Sequence, residues 1–392
     1  MDKISVIIPV CNGSEFFDNC LQSIFNSTYR NLEVIVVNDG STDQFDDAIR
    51  DYKPDITVVS TKSGKSAAAR NCGLRRSTGE FVSFFDVDDI NGKMRLELSV
   101  KKFESEPHSG MVFCGTTFID DQGGFLTGVG KFPDFDQSQF LGRMYERNWI
   151  NTISTTLMRR NVLERVGGFD ESFDIGEDYD LYLRIGSISK VEYIDLPLVR
   201  YRIHSKDHSN RVRDLHEYEI KALRKFDPGE VAANLSALFT DEKDFRLSFG
   251  KILYKMGQVK DALRQFKRAL LISSGSADAF FFTGNCYYDL GDYKESLIYF
   301  KDCLKIDPGH AGCRNNIGIL YFHQGDYDRS INEFKRAVKL GSNQVEPRHN
   351  LSCVKKEGSV DLLRLSLYDS QAADIAGLKS ARNANVKQSI SL

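Results

Sequence analysis

The N-terminal half of the chain alternates short apolar runs with segments whose apolar residues recur at helical spacing. The segment between the first two runs has apolar residues three or four positions apart, which predicts an amphipathic helix; these are Phe16, Cys20, Leu21, Ile24 and Phe25. The apolar runs predict strands at 4–8, 33–37, 56–59, 81–85 and 111–114. Strands that alternate with helices predict a mostly parallel sheet with helices on both faces, and a ligand crevice at the carboxyl ends of the strands.

From about residue 244 the chain follows a different pattern, a repeat with an interval of 34 residues. Small and aromatic residues keep this interval through three units, in columns such as Gly250, Gly284 and Gly318, Phe266, Phe300 and Phe334, and Ala262, Ser296 and Ser330. Small residues let two helices approach closely and aromatic residues fill the space between pairs, so the pattern predicts stacked helix pairs. It resembles the tetratricopeptide (TPR) repeat over 244–341, with a partial fourth helix near 343–354.

Composition and charge narrow the class of protein. Hydrophobic residues make up 41% and charged residues 27% of the chain, as in ordinary globular proteins. A net charge of −3 excludes the overall basic character of nucleic-acid-binding proteins. No apolar stretch approaches the ~18–20 residues that a membrane span needs. Eight cysteines without metal-binding spacing, and an N-terminus without signal-peptide character, predict a cytoplasmic protein with reduced thiols.

Acidic residues follow two of the predicted strands. Asp39 comes after the second strand, and Asp86, Asp88 and Asp89 come after the fourth. Side chains at the carboxyl ends of strands face the ligand crevice of an open sheet. Three carboxylates within four residues repel one another unless a cation or a hydrogen-bond network compensates, and Mn²⁺ or Mg²⁺ suits oxygen ligands. The alternative is a polar turn that caps the following helix.

Several further motifs occur in a fixed order along the N-terminal half. They are SVIIPVCNG (5–13), VVNDGSTD (36–43), AARNCG (68–73), GEFVSFFDVDD (79–89), GGFDESF (167–173), GEDYDLYLR (176–184) and YRIHSKDHS (201–209). In this order they resemble the family-2 glycosyltransferases of the GT-A fold, over residues 3–209. Ordered agreement of several motifs is much more specific than one Asp-x-Asp.

The resemblance implies roles for residues on the donor side. Asp39 would accept a hydrogen bond from the nucleotide base, usually uracil, with Arg70 near the same nucleotide. Pro9 and Val10 would line the donor site, and Asp86 would contact the ribose or the donor sugar. The donor would be a nucleotide diphosphate sugar.

The resemblance also implies a metal site and an acceptor side. Asp88 would bind Mn²⁺ or Mg²⁺, with His204 completing the metal site; the alternative is a surface or core histidine, which a histidine without this context more often is. Asp178 would be the general base, and the alternative is that it caps a helix. Glu177 would shape the acceptor pocket. Trp149 would stack on an acceptor sugar, with core packing as its alternative.

Together these features predict a GT-A glycosyltransferase domain at 1–210, a helical linker at 211–243, TPR repeats at 244–354, and a capping helix with a flexible tail at 355–392. The expected activity is metal-dependent, inverting transfer of a hexose or N-acetylhexosamine to a glycan or lipid-linked acceptor. Because uracil is the usual base in the family, the resemblance implies a UDP-linked donor. The alternative is a catalytically inactive domain that serves as a TPR scaffold.

The TPR half adds expectations about partners. Stacked repeats usually bind a peptide or protein, so we expect a protein partner on the TPR groove. An excess of basic residues in the first repeat, 244–274, predicts peripheral contact with an anionic membrane, and the alternative is a solvated helix face.

Overall fold

The computed structural model of the chain divides into two units, Met1–Leu238 and Phe239–Leu392. The residues that it describes are 2–203, 212–341, 345–356, 363, 365 and 366. His204 and most of the predicted tail at 355–392 lie outside these residues. The helices of 211–238, within the predicted linker, are part of the first unit.

One mixed sheet forms the centre of the first unit. In the described part of this unit it has nine strands. They are β1 (Ile4–Val10), β2 (Leu32–Asp39), β3 (Thr57–Thr61), β4 (Phe81–Phe84), β5 (Ile90–Asn91), β6 (Ser109–Ile119), β7 (Phe125–Gly130), β8 (Leu157–Arg159) and β9 (Lys190–Arg202). Their order is β3-β2-β1-β4-β8-β6-β9-β5, and β7 pairs with β6.

The four strands β3, β2, β1 and β4 run parallel, as the alternation of strands and helices predicts. β1 lies between β2 and β4, with Ile4 opposite Leu32 on one side and Phe81 on the other. Their carboxyl ends therefore share one edge of the sheet. Beyond β4 the sheet becomes mixed, because β8 is antiparallel to both of its neighbours. The predicted GT-A sheet is confirmed, with its continuous parallel part limited to these four strands.

β9 has no counterpart among the strands predicted from apolar runs. Charged and polar residues interrupt its sequence, so its apolar positions never form a continuous run. Parallel pairing with β6 along most of its length supplies the partners that keep it extended. Tertiary pairing, which outweighs local preference in sheets, explains the difference.

Helices cover the sheet of the first unit. They are α1 (Ser14–Phe25), α2 (Phe45–Ala48), α3 (Ser66–Arg76), α4 (Arg95–Ser105), α5 (Phe140–Glu146), α6 (Arg160–Val166), α7 (Glu177–Ile188), α8 (Val212–Leu223) and α9 (Pro228–Ser236). In α1 the predicted positions Cys20, Leu21 and Ile24 are buried. The buried ring at the start of α1 is Phe17 rather than Phe16, whose ring lies against the Arg202 guanidinium.

The second unit consists of helix pairs. Its helices are α10 (Glu242–Lys255), α11 (Val259–Ile272), α12 (Ala277–Asp289), α13 (Tyr293–Ile306), α14 (Ala311–His323), α15 (Tyr327–Leu340) and α16 (Val345–Lys356). A Cβ at Gly250, Gly284 or Gly318 would lie 2.5 to 2.7 Å from the ring of Phe266, Phe300 or Phe334, respectively. The repeated glycines therefore allow each pair to pack, which confirms the TPR prediction. None of the helices in the described ranges combines the length and the hydropathy of a bilayer-spanning segment.

Candidate active site

The acids after β4 form a turn at the carboxyl edge of the parallel strands. The Asp89 N–H donates to the main-chain oxygen of Asp86 at 3.1 Å, which closes the turn. The Asp86 N–H donates to the Ser154 hydroxyl at 2.9 Å, in the short 3₁₀ turn Ile153–Thr155. These bonds fix the backbone from which the carboxylates project.

Arg70 on α3 links this turn to the start of α7. Its guanidinium is buried and pairs with Asp86, with 2.8 Å between Nη2 and Oδ1, and it also pairs with the buried carboxylate of Glu177. Burial lowers the pKa of Arg70, but the charges of Asp86, Glu177 and Asp178 outweigh burial, so its pKa is raised. Arg70 therefore stays positively charged and holds together residues predicted for the donor side and for the acceptor side.

Asp178 is half-buried in the first turn of α7, beside Glu177. Its Oδ1 accepts a hydrogen bond from the Tyr179 N–H at 2.7 Å. Burial and the neighbouring charge of Glu177 raise the pKa of Asp178 to about 7, against the opposing effect of Arg70. A carboxylate with a pKa near neutrality suits a general base, because about half of it is ionised at pH 7 and the ionised form is basic enough to accept a proton.

Asp89 and Asp88 differ in their surroundings, although they are adjacent in the chain. Asp89 is fully buried and accepts hydrogen bonds from the Thr152 hydroxyl at 2.8 Å and the Arg202 N–H at 3.2 Å. Burial and the charges of Asp88 and Asp86 raise the pKa of Asp89 well above its usual range. Asp88 is half-buried, and its main-chain oxygen accepts from Arg202 Nε at 2.9 Å. Asp89 therefore ties the turn to β9, and Asp88 is the more accessible acid.

The turn fits the divalent cation that the resemblance implies. Burial raises the pKa of Asp86, Arg70 lowers it, and the charge of Asp88 raises it further, so Asp86 and Asp88 carry mutual repulsion that a cation relieves. Both residues offer the hard oxygen ligands that Mn²⁺ and Mg²⁺ prefer. His204, the other predicted ligand, lies outside the described residues.

Asp39 lies at the end of β2, at the same edge of the sheet. Both of its carboxylate oxygens accept hydrogen bonds from Ser63, from the N–H at 2.6 Å and from the hydroxyl at 2.8 Å. In the next strand of the sheet, Val10 is buried and Pro9 is half-buried. Ser63 therefore orients Asp39, which keeps lone pairs for a further donor, and the roles of Asp39, Pro9 and Val10 toward a nucleotide stay predictions.

Trp149 belongs to an aromatic group in the first unit. Its ring is half-buried, with its centroid 6.3 Å from that of Phe132, and the Arg147 guanidinium lies 4.4 Å above it. The buried indole N–H has no hydrogen-bond partner among the described residues. The contact with Phe132 is what core packing predicts, and an acceptor-side role for Trp149 stays a prediction.

Three residues that support the acids escaped the sequence analysis. Ser63 holds Asp39, Thr152 holds Asp89, and Ser154 holds the backbone of Asp86. Each is a hydroxyl residue in a loop or short turn, far along the chain from the acid that it contacts. No local pattern marks such residues, because their partners are set by the tertiary fold.

Gly176, which precedes Glu177 and Asp178, is required by two features of its position. It has a φ of +77°, and a Cβ would lie 2.1 Å from the Tyr218 ring of α8. We expect Gly176→Ala to lower the free energy of unfolding by about 2–4 kcal/mol, from the left-handed backbone and the overpacking together. Denaturant unfolding of wild type and Gly176→Ala measures this loss.

Gly167 is the matched control for Gly176, since it has a φ of +79° with nothing within 4 Å of an added Cβ. Gly167→Ala should cost only the backbone strain, about 1–2 kcal/mol. Equal losses at the two positions would show that the contact with Tyr218 has no energetic weight.

The second unit contains a cluster that sequence spacing does not indicate. Cys303, His310 and Cys313 are buried, and their potential ligand atoms lie within 4.8 Å of one another. His310 Nδ1 accepts a hydrogen bond from the Cys313 N–H at 3.1 Å, which caps α14. This bond uses the Nδ1 lone pair and leaves the proton of a neutral ring on Nε2. The imidazole therefore acts as a helix cap.

A mixed α/β sheet with carboxylates at the carboxyl edge of its parallel strands has the architecture of a GT-A transferase. Residues 5–167 match the family model for glycosyl transferase family 2, and residues 247–311 and 310–342 match tetratricopeptide repeat models. The chain therefore combines a family-2 glycosyltransferase domain with C-terminal TPR repeats.

Individual curated relatives match about half of this chain. An uncharacterized glycosyltransferase of Rickettsia prowazekii is 28% identical over 219 residues, which cover 55% of this chain and 69% of that protein. The glycosyltransferase GlyA of Streptococcus pneumoniae is 30% identical over 218 residues, or 52% of this chain and 31% of GlyA. Among solved structures, S. aureus TarS 1–349 in complex with UDP-GlcNAc aligns with 86% of this chain, and the alignment covers 91% of the TarS chain. The sequence identity is 17% and the TM-score is 0.47.

Proposed function

We propose that the N-terminal domain is a metal-dependent, inverting glycosyltransferase. It moves a hexose or N-acetylhexosamine from a nucleotide diphosphate sugar, with uracil as the base, to a hydroxyl of a glycan or lipid-linked acceptor. The observation that carries this proposal is the position of Asp178 in the first turn of α7, beside Glu177, which shares the buried Arg70 guanidinium with Asp86 of the turn after β4. The family-2 match of residues 5–167 supports the reaction class.

On the donor side the chain supplies oriented acids and one buried cation. Asp39, held by Ser63, accepts a hydrogen bond from the base, and Asp86, held by Arg70, contacts the ribose or the sugar. Asp88 would hold Mn²⁺ or Mg²⁺, which when bound offsets the negative charge of the leaving diphosphate. Because Arg70 already pairs with two carboxylates, its main contribution is to fix their orientation.

On the acceptor side Asp178 takes the proton of the acceptor hydroxyl. The hydroxyl oxygen forms a bond to the anomeric carbon as the bond from that carbon to the diphosphate oxygen breaks, and the proton moves to Asp178. Attack on the face opposite the leaving group inverts the anomeric centre. The proposal is tested by supplying nucleotide diphosphate sugars with glycan acceptors and determining the anomeric configuration of any product by NMR.

Asp88→Ala is expected to weaken nucleotide diphosphate binding by about tenfold or more in Mn²⁺, because the accessible carboxylate of the metal site is removed. The measurement is isothermal titration calorimetry with Mn²⁺ and with EDTA. Asp51→Ala is the control, since Asp51 is exposed and lies outside the turn after β4. The same affinity in wild type and Asp88→Ala, in both conditions, would contradict the metal assignment.

Two basic residues of the first repeat, Arg246 and Lys251, form ion pairs with acidic residues of the same unit. Arg246 pairs with Glu242 at 3.0 Å, and Lys251 pairs with Asp278 at 2.6 Å. Such pairing reduces the positive charge that these two residues offer to an anionic surface. It favours a solvated helix face, and peripheral membrane contact stays a prediction.

A further inference from the structure

Four buried asparagines form a hydrogen-bonded row in the second unit. Asn350 of α16 donates to Asn315 of α14 at 2.9 Å, and Asn315 donates to its neighbour Asn316 at 3.1 Å. Asn316 donates to Asn285 of α12 at 2.8 Å. All four side chains are fully buried, so each amide group needs hydrogen-bond partners within the protein.

The main chain of Ser366 contacts the end of this row. The Ser366 N–H donates to Asn316 Oδ1 at 2.8 Å, and Asn316 Nδ2 donates to the Ser366 carbonyl at 3.0 Å. Asn285 Nδ2 donates to the same carbonyl at 3.4 Å. A single amide side chain thus pairs with both main-chain groups of one residue, as a neighbouring strand would.

Asn316 has its full set of hydrogen bonds only when Ser366 is in place. An asparagine amide offers two N–H donors and an oxygen with two lone pairs. Asn285 and Ser366 accept the two donors, while Asn315 and Ser366 supply the two hydrogen bonds to the oxygen. Loss of Ser366 would leave one donor and one lone pair of Asn316 without these protein partners, which is unfavourable for a buried group.

The contact does not involve the serine side chain. Ser366 is buried, yet its hydroxyl has no hydrogen-bond partner among the described residues. Every hydrogen bond described between Ser366 and the asparagines goes through its main-chain N–H or carbonyl. The site therefore recognises a peptide backbone, and any residue other than proline supplies the same groups.

We propose that Asn285 and Asn316 form a binding site for a peptide main chain, and that the chain's own segment at Leu365–Ser366 is its resident occupant. An outside peptide that offers an N–H and a carbonyl to Asn316 must first displace this segment. The TPR repeats would then be self-occupied, which limits access of a protein partner. This inference does not depend on sugar transfer by the N-terminal domain.

Limited proteolysis of the full chain tests the proposal. By sequence, trypsin cleaves after Arg364, immediately before the held segment, and after Lys379, further along the same tail. Each cleavage rate is divided by the rate for a synthetic peptide of the same sequence, so that preferences of trypsin cancel. For wild type we expect cleavage after Arg364 to be slowed about tenfold or more relative to cleavage after Lys379, because only the open state is cut.

Two substitutions at one position separate backbone from side-chain recognition. Ser366→Ala keeps the N–H and should keep the protection, whereas Ser366→Pro removes the N–H and should speed cleavage after Arg364 about fivefold to tenfold. Asn316→Ala, with its fold checked by circular dichroism, should also speed this cleavage. Wild-type cleavage after Arg364 at the free-peptide rate, or equal protection in Ser366→Ala and Ser366→Pro, would overturn the proposal.

Discussion

Asp178→Asn is expected to lower the rate of sugar transfer by about 10²- to 10⁴-fold, because an amide cannot take the proton of the acceptor hydroxyl. Nucleotide binding should be unchanged, since the proposed donor contacts come from Asp39, Asp86 and Asp88. Initial rates and nucleotide affinities of the two proteins check both parts. A variant with near wild-type rates would show that another group is the base.

The pH dependence gives an independent test of Asp178. Only the ionised carboxylate acts as a base, so with a pKa of about 7 the wild-type kcat/KM should fall as the pH is lowered through 7, about tenfold per unit well below it. Asp178→Asn should lose this limb of the profile. A wild-type profile that is flat between pH 5 and 8 would contradict the assignment.

The contribution of Asp178 to the stability of the folded protein should fall as the pH rises, whereas its contribution to the rate should increase. The raised pKa means that the folded state holds the Asp178 proton more tightly than the unfolded state does. This contribution to stability is complete below the unfolded pKa of about 4 and is lost as the pH rises through about 7. Asp178→Asn avoids the buried charge, so at pH 8 its melting temperature should exceed that of wild type by a few degrees, and at pH 4 this gain should vanish.

Arg70→Ala has the largest expected effect on stability. It leaves the buried carboxylate of Glu177 and the half-buried carboxylate of Asp86 without their cation, which costs about 3–5 kcal/mol. Arg70→Lys should be intermediate, because one ammonium cannot reproduce the two-sided pairing of a guanidinium. Chemical denaturation gives the free energy of unfolding of wild type, Arg70→Ala and Arg70→Lys. If Arg70→Ala lowers the free energy of unfolding by less than about 1 kcal/mol, the two ion pairs of Arg70 are no stronger than ordinary surface ion pairs.

A compensating variant distinguishes electrostatics from lost packing. If unpaired charge causes the instability, Arg70→Ala combined with Asp86→Asn and Glu177→Gln should recover about half of the loss or more, because no charge is left without a partner while the lost volume of Arg70 is not restored. Failure of this triple variant to recover stability would mean that Arg70 contributes mainly by filling space. The contact of its guanidinium with the Phe169 ring, at 5.6 Å, gives that explanation a physical basis.

Residues that follow a local rule were predictable from the sequence. The TPR glycines keep a 34-residue interval because each lies against a phenylalanine ring of the paired helix, as Gly284 does with Phe300. The strands β1, β2 and β4 were found because they are mostly buried and their apolar residues form nearly continuous runs. Asp39, Asp86 and Asp88 stood out because they follow such strands directly.

Residues whose partners are distant in the chain were not predictable. Nothing near Ser63 or Thr152 marks either residue as a donor to an acid. Glu177 was expected beside the acceptor, and its buried pairing with Arg70 depends on how α3 and α7 meet. Ser366 lies in the segment predicted only as a capping helix with a flexible tail, and its hydrogen bonds with Asn316 follow from the stacking of the repeats.

The most direct test of the proposed function is a thermal-shift screen of UDP, GDP, TDP and CMP, each with Mn²⁺ and with EDTA. It requires no knowledge of the acceptor, because a ligand that binds only the folded state raises the melting temperature by mass action. We expect UDP to raise the melting temperature with Mn²⁺, EDTA to remove the effect, and Asp88→Ala to abolish it. No shift with any nucleotide would contradict a working donor site and favour a catalytically inactive domain that serves as a TPR scaffold.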